Sequence, residues 1–404
     1  MNTLVINSRE NLSSAADLLR NGGLVAVPTE TVYGLAGNGL DSAAVEKIYE
    51  VKGRPAVKPL SLMVSGKECI DRYCTDVPSQ AYCLADAFWP GPVTIVLRSR
   101  DIVPDIVRAG GSTVGLRCPD SPLTLSLLKL SDIPFAAPSA NPSGADSPKS
   151  AEAVLSYFDG AIDAVVDGGV CRLGLESTII DMSAKPFRIL RQGSLERERI
   201  VAELTDNLTL IGITGCTGSG KTTALNVLKE FGAEIIDCDA VYHEMLVSDY
   251  ELKSAILTAF PEAESCGEID RKLLGKAVFN DSARLEELNR VTHVHVLRKV
   301  RSYLEECAMN GAEFVAVDAI ELFSSGLGDI CDFTLAVTAD ENTRAERIVR
   351  RDGISMEYAL QRIRAQKDPA YFAGKADAVI DNSGSEGDFI NKCKSLFERI
   401  FINE

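Results

Sequence analysis

Residues 215–222, Gly-Cys-Thr-Gly-Ser-Gly-Lys-Thr, constrain this chain more than any other stretch. Gly215, Gly220, Lys221 and Thr222 satisfy the spacing GxxxxGK[ST]. Its glycines let successive backbone N–H groups converge on phosphate oxygens, while lysine and a hydroxyl reach the terminal phosphates and magnesium. The context agrees. Leu208 to Thr214 reads as a buried strand, and Ala224, Leu225, Leu228 and Phe231 recur at helical spacing before the stop at Gly232. Strand, glycine loop and helix in that order aim a helix N-terminus at the anion.

More than two hundred residues precede this loop. A length of 404 residues predicts two α/β domains, at 1–200 and 208–404, joined near SLERERIVAELTDN as a short helix or linker. Neither a secretory leader nor a membrane span is expected, since the start is polar and no apolar run is long enough. Eleven cysteines without a CxxC pair point to a reduced, cytoplasmic setting. Residues 1–207 carry a net charge of −5 and the remainder −11, so neither half reads as an autonomous nucleic-acid binder.

In the second half, AEIIDCDAVYHEM is a short strand ending in two carboxylates, Asp237 and Asp239. A carboxylate there is placed to accept a proton from an acceptor hydroxyl, with Asp239 the candidate base; capping of the next helix is the plainer alternative. EFVAVDAI ends a buried strand at Asp318, a position that could hold magnesium through water. Arg344, Arg347 and Arg351 fall on one helix face, a clamp for phosphate oxygens or an ordinary solvated face. His293 and His295 lack further partners for a metal site.

From about Leu208 onward the chain resembles the dephospho-CoA kinases, through GITGCTGSGKTTA, IIDCDAVYHE, GEIDRKLLGKAVF, LNRVTHVHV, VDAIELFSSG, the arginine segment and ADAVIDNSG in that order. The resemblance implies a parallel sheet flanked by helices, a helical lid, and ATP-dependent phosphorylation of the ribose 3′-hydroxyl of dephospho-CoA. It assigns ATP phosphates to Gly215 and Gly218, Ser219, Gly220, Lys221, Thr222 and Thr223, with magnesium at Thr222. It makes Asp239 the base and Arg351 a lid arginine, puts Asp270 and Arg271 in the acceptor-binding segment, and sets Asn382 where the family meets adenine. The chain departs from the family at Val294, Ile320 and Ser324, which bears on acceptor recognition but leaves the phosphate machinery intact.

The first half opens with the buried strand Leu24 to Val27, which Pro28 ends at a Thr/Glu/Thr/Tyr cluster. After a helical stretch come Lys52, Arg54 and Lys58 among prolines, read as a fixed loop whose three cations suit a polyphosphate. Arg117 ends another strand, where it could pair with a substrate carboxylate. Ser139 and Asn141 fall in a proline-bounded turn, Ser177 and Thr178 follow, and Arg188 and Arg191 lie on a last strand. All three histidines are in the second half, which argues against Ser/His nucleophilic catalysis here and favours positioning and charge neutralisation.

Residues 8 to 195 resemble the YrdC-like threonylcarbamoyl-AMP synthases through PTETVYGL, KGRP…KPLS, GLRCP, PSANPSG, ESTIID and ILRQG. The resemblance implies a twisted mixed α/β sheet and condensation of L-threonine, bicarbonate and ATP into threonylcarbamoyl-AMP and pyrophosphate, a product that feeds a tRNA modification. It assigns threonine to Thr29, Thr31 and Arg117, the phosphates to Lys52, Arg54 and Lys58, and the nucleotide and intermediate to Ser139, Asn141, Ser177 and Arg191. The chain thus reads as a two-headed enzyme with ATP as substrate at both sites and an indirect link to tRNA. The competing reading is an RNA-binding module fused to a kinase of another nucleoside-like alcohol.

Overall fold

Short runs of β-branched and small apolar residues, too brief for helices, alternate along the whole chain with amphipathic segments that begin on capping side chains. The computed structural model describes residues 2–7, 11–278 and 281–402; Phe279, at the end of GEIDRKLLGKAVF, lies outside them. Contacts divide the chain into two compact units, Met1–Asn207 with Met309–Gly311, and Leu208–Ala308 with Ala312–Glu404.

The first unit is built on an 11-stranded sheet in the order Leu4–Ile6, Ala164–Val166, Val25–Val27, Gly34–Asn38, Phe135–Ala136, Ser61–Met63, Thr113–Arg117, Val93–Ser99, Thr178–Asp181 and Arg188–Arg191, with Cys74–Thr75 pairing on Val93–Ser99. Parallel and antiparallel pairs mix along it, as the twisted mixed sheet requires. Val25–Val27 and Ala164–Val166 are buried at every position, the mark of strands covered on both faces. Leu12 and Leu19 of the helix Leu12–Arg20 pack there with Leu127, Leu128 and Phe135. Asp41 starts the helix Ser42–Lys52 by accepting from the Ala43 N–H at 3.0 Å, and Gly53 at φ +56° ends it. That stop fixes where Lys52 sits.

The expected joining segment is the helix Arg197–Asp206. The second unit is a five-stranded, all-parallel sheet ordered Glu234–Asp237, Phe314–Asp318, Thr209–Thr214, Phe333–Thr338, Ala378–Asp381. Ile211, Ile213, Leu335 and Val337 pack with Leu228 from the helix Lys221–Glu230 and with Phe389 and Phe397 from Glu386–Ile402. The chain leaves Thr209–Thr214 toward one edge of the sheet and later fills the other, so the strand order reverses at its carboxyl end. Open α/β sheets bind ligands at such a point, and the glycine loop begins there. The helices Glu341–Asp352 and Met356–Arg364 pair through Ala345, Ile348, Ala359 and Ile363 and form the helical lid.

Gly220 holds φ +104°, and a Cβ on it would stand 2.0 Å from Nδ2 of Asn382. Backbone strain and steric clash coincide there. Gly220→Ala is expected to destabilise the second unit by about 2 kcal/mol or more, read from its urea unfolding transition; an unchanged transition midpoint would contradict this.

Candidate active sites

In the second unit the loop 215–220 is held from outside by its carbonyl oxygens. Arg344 Nε donates to Thr217 O at 3.1 Å, Arg347 Nη1 to Gly218 O and Ser219 O at 3.4 Å each, and Asn382 Nδ2 to Ser219 O at 2.8 Å. Gln366 closes the ring by accepting from the Thr217 N–H at 3.0 Å and donating to its hydroxyl at 2.6 Å. Carbonyls drawn outward leave the concave side to N–H groups and to the first turn of Lys221–Glu230. The Ser219 hydroxyl, on a fully buried residue, has no partner there among the described residues. Thr222 and Thr223 lie in that first turn, Thr222 exposed.

Lys221 Nζ stands 2.7 Å from Oδ1 of Asp318, both side chains mostly covered. Burial pushes the Asp318 carboxyl above its usual range, against the pull of Lys221, with Asp237 and Asp239 adding to the rise. Three carboxylates thus lie close enough to feel one another, with Lys221 paired to Asp318. Asp237 caps the helix Cys238–Ser248 through the Ala240 N–H at 3.0 Å, the plainer of its two readings. Asp239, exposed in the first turn of that helix, lines a cavity of about 160 Å³ together with Tyr242, Asn289, Thr292, His293 and Glu321.

Other residues take different positions from those the sequence suggested. Arg344 and Arg347 reach the loop, whereas Arg351, one turn farther along, pairs with Asp352 at 2.6 Å and is exposed. A shared helix face does not imply a shared target. The side chain of Asn382 is spent on Ser219 O and Arg347, so it braces the loop instead of being free to meet a base. Asp270 caps the helix Arg271–Val278, Arg271 meets His243 at 2.8 Å, and neither lines the cavity. At the departure from the expected pattern, Ser324 donates to the Glu321 carboxylate, which also holds Lys367 at 2.6 Å.

In the first unit a cleft of about 330 Å³ lies over the strands, lined by Arg54, Arg117, Ser139, Ser177 and Arg191 with an apolar wall that includes Leu60, Met63 and Leu190. Arg191 donates to the Ser177 carbonyl at 2.8 Å and to its hydroxyl at 3.2 Å, and Ser177 also meets Thr94 at 2.8 Å. Arg117 is buried in an ion pair: its Nη2 reaches Glu30 Oε1 and Thr31 Oγ1, both at 2.8 Å, and Nε donates to Gly91 O at 3.2 Å. The Thr29 hydroxyl donates to Val32 O at 2.6 Å, so in the 2.8 Å Thr29–Thr31 pair the proton comes from Thr31. Thr29 and Thr31 therefore stand behind Arg117 and do not line the cleft.

The triple cation expected in one loop is split. Lys52 is the buried last residue of its helix, its ammonium donating to the carbonyls of Ser139 and Asn141, with burial and the neighbouring Arg54 lowering its pKa to about 8. Arg54 lines the cleft, and Lys58 is exposed away from it. Lys52 shapes the 139–141 turn. In that turn Asn141 donates to Pro142 O and Ala145 O at 3.1 and 2.6 Å, and its buried Oδ1 has no partner among the described residues. Sequence reasoning gave no role to Glu30, whose only signal was a carboxylate between two threonines in an otherwise buried cluster.

Residues 17–193 match the family described as Sua5/YciO/YrdC, Telomere recombination, and residues 209–388 match the family Dephospho-CoA kinase. A threonylcarbamoyl-AMP synthase from Pyrococcus abyssi is 44% identical over 210 residues, 50% of this chain and 62% of that protein. A Methanocaldococcus jannaschii relative of the same half is 35% identical over 180 residues, 45% of this chain and 84% of its own length. A dephospho-CoA kinase from Carboxydothermus hydrogenoformans is 35% identical over 180 residues, 44% of this chain and 87% of that protein. The chain thus spans about three fifths of the Pyrococcus synthase.

Glu30 is 4% exposed and Arg117 7%. Removing one member of so buried a pair strands the other charge, so Glu30→Ala is expected to cost the first unit about 3–5 kcal/mol in urea unfolding. A loss under 1 kcal/mol would mean that water already reaches the pair.

Proposed function

Because this chain belongs to the Sua5/YciO/YrdC family through residues 17–193 and to the dephospho-CoA kinase family through residues 209–388, we propose that it carries out two separate ATP chemistries. The first unit condenses L-threonine, bicarbonate and ATP into threonylcarbamoyl-AMP with release of pyrophosphate, and that product serves tRNA modification by other proteins. The second phosphorylates the 3′-hydroxyl of dephospho-CoA. One observation carries this reading: each unit gathers cations and hydroxyls at the ends of strands around its own concavity.

In the synthase half Arg117, steadied by Glu30 and the Thr29–Thr31 pair, takes the threonine carboxylate. The threonine ammonium first gives up a proton to solvent, its freed amine joins the bicarbonate carbon with loss of water, and the carbamate oxygen attacks the α-phosphorus of ATP as pyrophosphate leaves. Arg54 and Arg191 neutralise phosphate charge in the cleft, and Lys52 holds the Ser139–Asn141 turn against it. The unpartnered Oδ1 of Asn141 and the paired Ser177 hydroxyl supply acceptor and donor to the nucleotide.

In the kinase half the loop 215–220, Lys221 and the helix N-terminus take the β- and γ-phosphates. Asp239 in the acceptor cavity accepts the hydroxyl proton as the phosphoryl group transfers. Arg351 sits on the lid helix, exposed, where lid movement can bring it to the phosphates. Asp270 and Arg271, which do not line the cavity, are assigned to the rest of a long acceptor. The Thr222 hydroxyl and the Asp318 carboxylate are hard oxygen donors that would hold magnesium, and the metal would neutralise phosphate charge there. The eleven cysteines are scattered without a CxxC pair, which supports a reducing cytoplasmic setting, and no described helix is long and apolar enough to cross a membrane.

Incubated with ATP and magnesium, the intact chain is expected to form threonylcarbamoyl-AMP and pyrophosphate only with threonine and bicarbonate, and CoA only with dephospho-CoA, as read by mass spectrometry. Asp239→Ala should lower CoA formation by at least a hundredfold and leave pyrophosphate release unchanged. Absence of either product removes the corresponding half of the reading, and a normal CoA yield from Asp239→Ala removes Asp239 as base.

A further inference from the structure

An amino acid enters the synthase cleft as a zwitterion, so its ammonium needs an anion as much as its carboxylate needs Arg117. Two carboxylates line the cleft, Glu176 and Asp181, and a third, Glu30, lies behind Arg117. Two of the three are already committed. Glu30 takes Arg117 at 2.8 Å and the Asp120 N–H at 3.0 Å. Asp181 accepts the Ser183 N–H at 3.0 Å and the Ser183 hydroxyl at 2.6 Å, which closes a turn.

Glu176 is different. It is half-buried on the cleft wall, and its Oε1 accepts from the Ser147 hydroxyl at 2.7 Å, while Lys149 and Arg191 act on it through space. The Ser147 hydrogen bond outweighs burial and holds its carboxyl below the usual range, so it is charged at neutral pH. Its backbone is fixed from both sides. Leu173 N–H donates to Glu30 O at 2.8 Å and Gly174 N–H to Thr31 O at 3.0 Å, which runs this segment alongside the residues that hold Arg117. On the far side Ser194 N–H donates to Glu176 O at 2.9 Å, and a Cβ on Gly193 would stand 2.4 Å from that oxygen. Arg191, in turn, feels the charges of Glu176, Arg117 and Arg54. One anion, held by the Ser147 hydroxyl, thus stands on the cleft wall beside Arg191.

We propose that Glu176 is the counter-ion of the substrate's α-ammonium group and so makes the cleft select an amino acid over the corresponding hydroxy acid. The proposal rests on the synthase reading of this cleft. Arg117 and Glu176 then bracket the α-carbon, each meeting one charge of the zwitterion, and the arginines left over serve the phosphates. Without Glu176 the cleft keeps only Asp181, already bonded to Ser183, as a lining carboxylate to meet a group that is itself a cation.

The test compares threonine with 2,3-dihydroxybutanoate, which carries a hydroxyl in place of the ammonium. With the intact wild-type chain the dihydroxy acid should inhibit threonine-dependent pyrophosphate release with an inhibition constant at least tenfold above the threonine KM. Glu176→Gln should raise the threonine KM at least tenfold while shifting the inhibition constant of the dihydroxy acid less than threefold, and Glu176→Asp should recover part of the loss. Equal affinity of the wild type for both compounds overturns the proposal without need of any variant. So does a parallel shift of both constants in Glu176→Gln, which would mark a structural role. A wild-type chain that releases no pyrophosphate with threonine overturns the synthase reading, and this inference falls with it.

Discussion

A cation can be fixed inside a fold only if something answers its charge, and both units of this chain meet that constraint in the same way. Arg117 ends the strand Thr113–Arg117 and is answered by Glu30; Lys221 starts its helix and is answered by Asp318 at the end of Phe314–Asp318. In water such pairs contribute little, but in a covered site each holds a flexible side chain at one place and leaves its remaining donors directed at a ligand. The rest of each site is arranged around that fixed point.

The consequences differ with the backbone nearby. In the kinase unit the answering groups extend to the loop, whose carbonyls are drawn outward by Arg344, Arg347 and Asn382. A phosphate therefore meets a loop whose backbone is already fixed by these contacts, with little reorganisation left for the moment of transfer. In the synthase unit the walls come from six or more strands and the loops between them, so the same neutralisation is spread over Arg54, Arg117 and Arg191. A loop-and-helix site concentrates its charge on one spot; a broad sheet-floored cleft spreads it along a wall.

How much of this could be read in advance depended on the range of the contact. The glycine loop was legible because its strand, turn and helix are neighbours in sequence and Gly220 tolerates no side chain. Helical periodicity placed Arg344 and Arg347 together, yet it could not show that the loop ends before Arg351, which turns to Asp352. Lys52 looked like a loop residue because Pro55 and Pro59 follow it so closely, whereas Gly53 is the cap that keeps it on the helix. Glu30 and Arg117 are 87 residues apart, and Glu176 gains its meaning from Ser147, Arg191 and the segment 173–174 beside Thr31, of which the first and last contacts span distant parts of the chain. The substitution at Ser324 read as a lost carboxylate, whereas Glu321, three residues earlier, lines the cavity beside Asp239 and accepts from Ser324.

The account stands on two phosphate-neutralising sites that share no residue. Equilibrium dialysis of a non-hydrolysable ATP analogue against the intact chain, with magnesium present, tests this most directly. Two analogue molecules should bind per wild-type chain and one per chain after Lys221→Ala. A single bound molecule in the wild type, or loss of all binding in the variant, would contradict it.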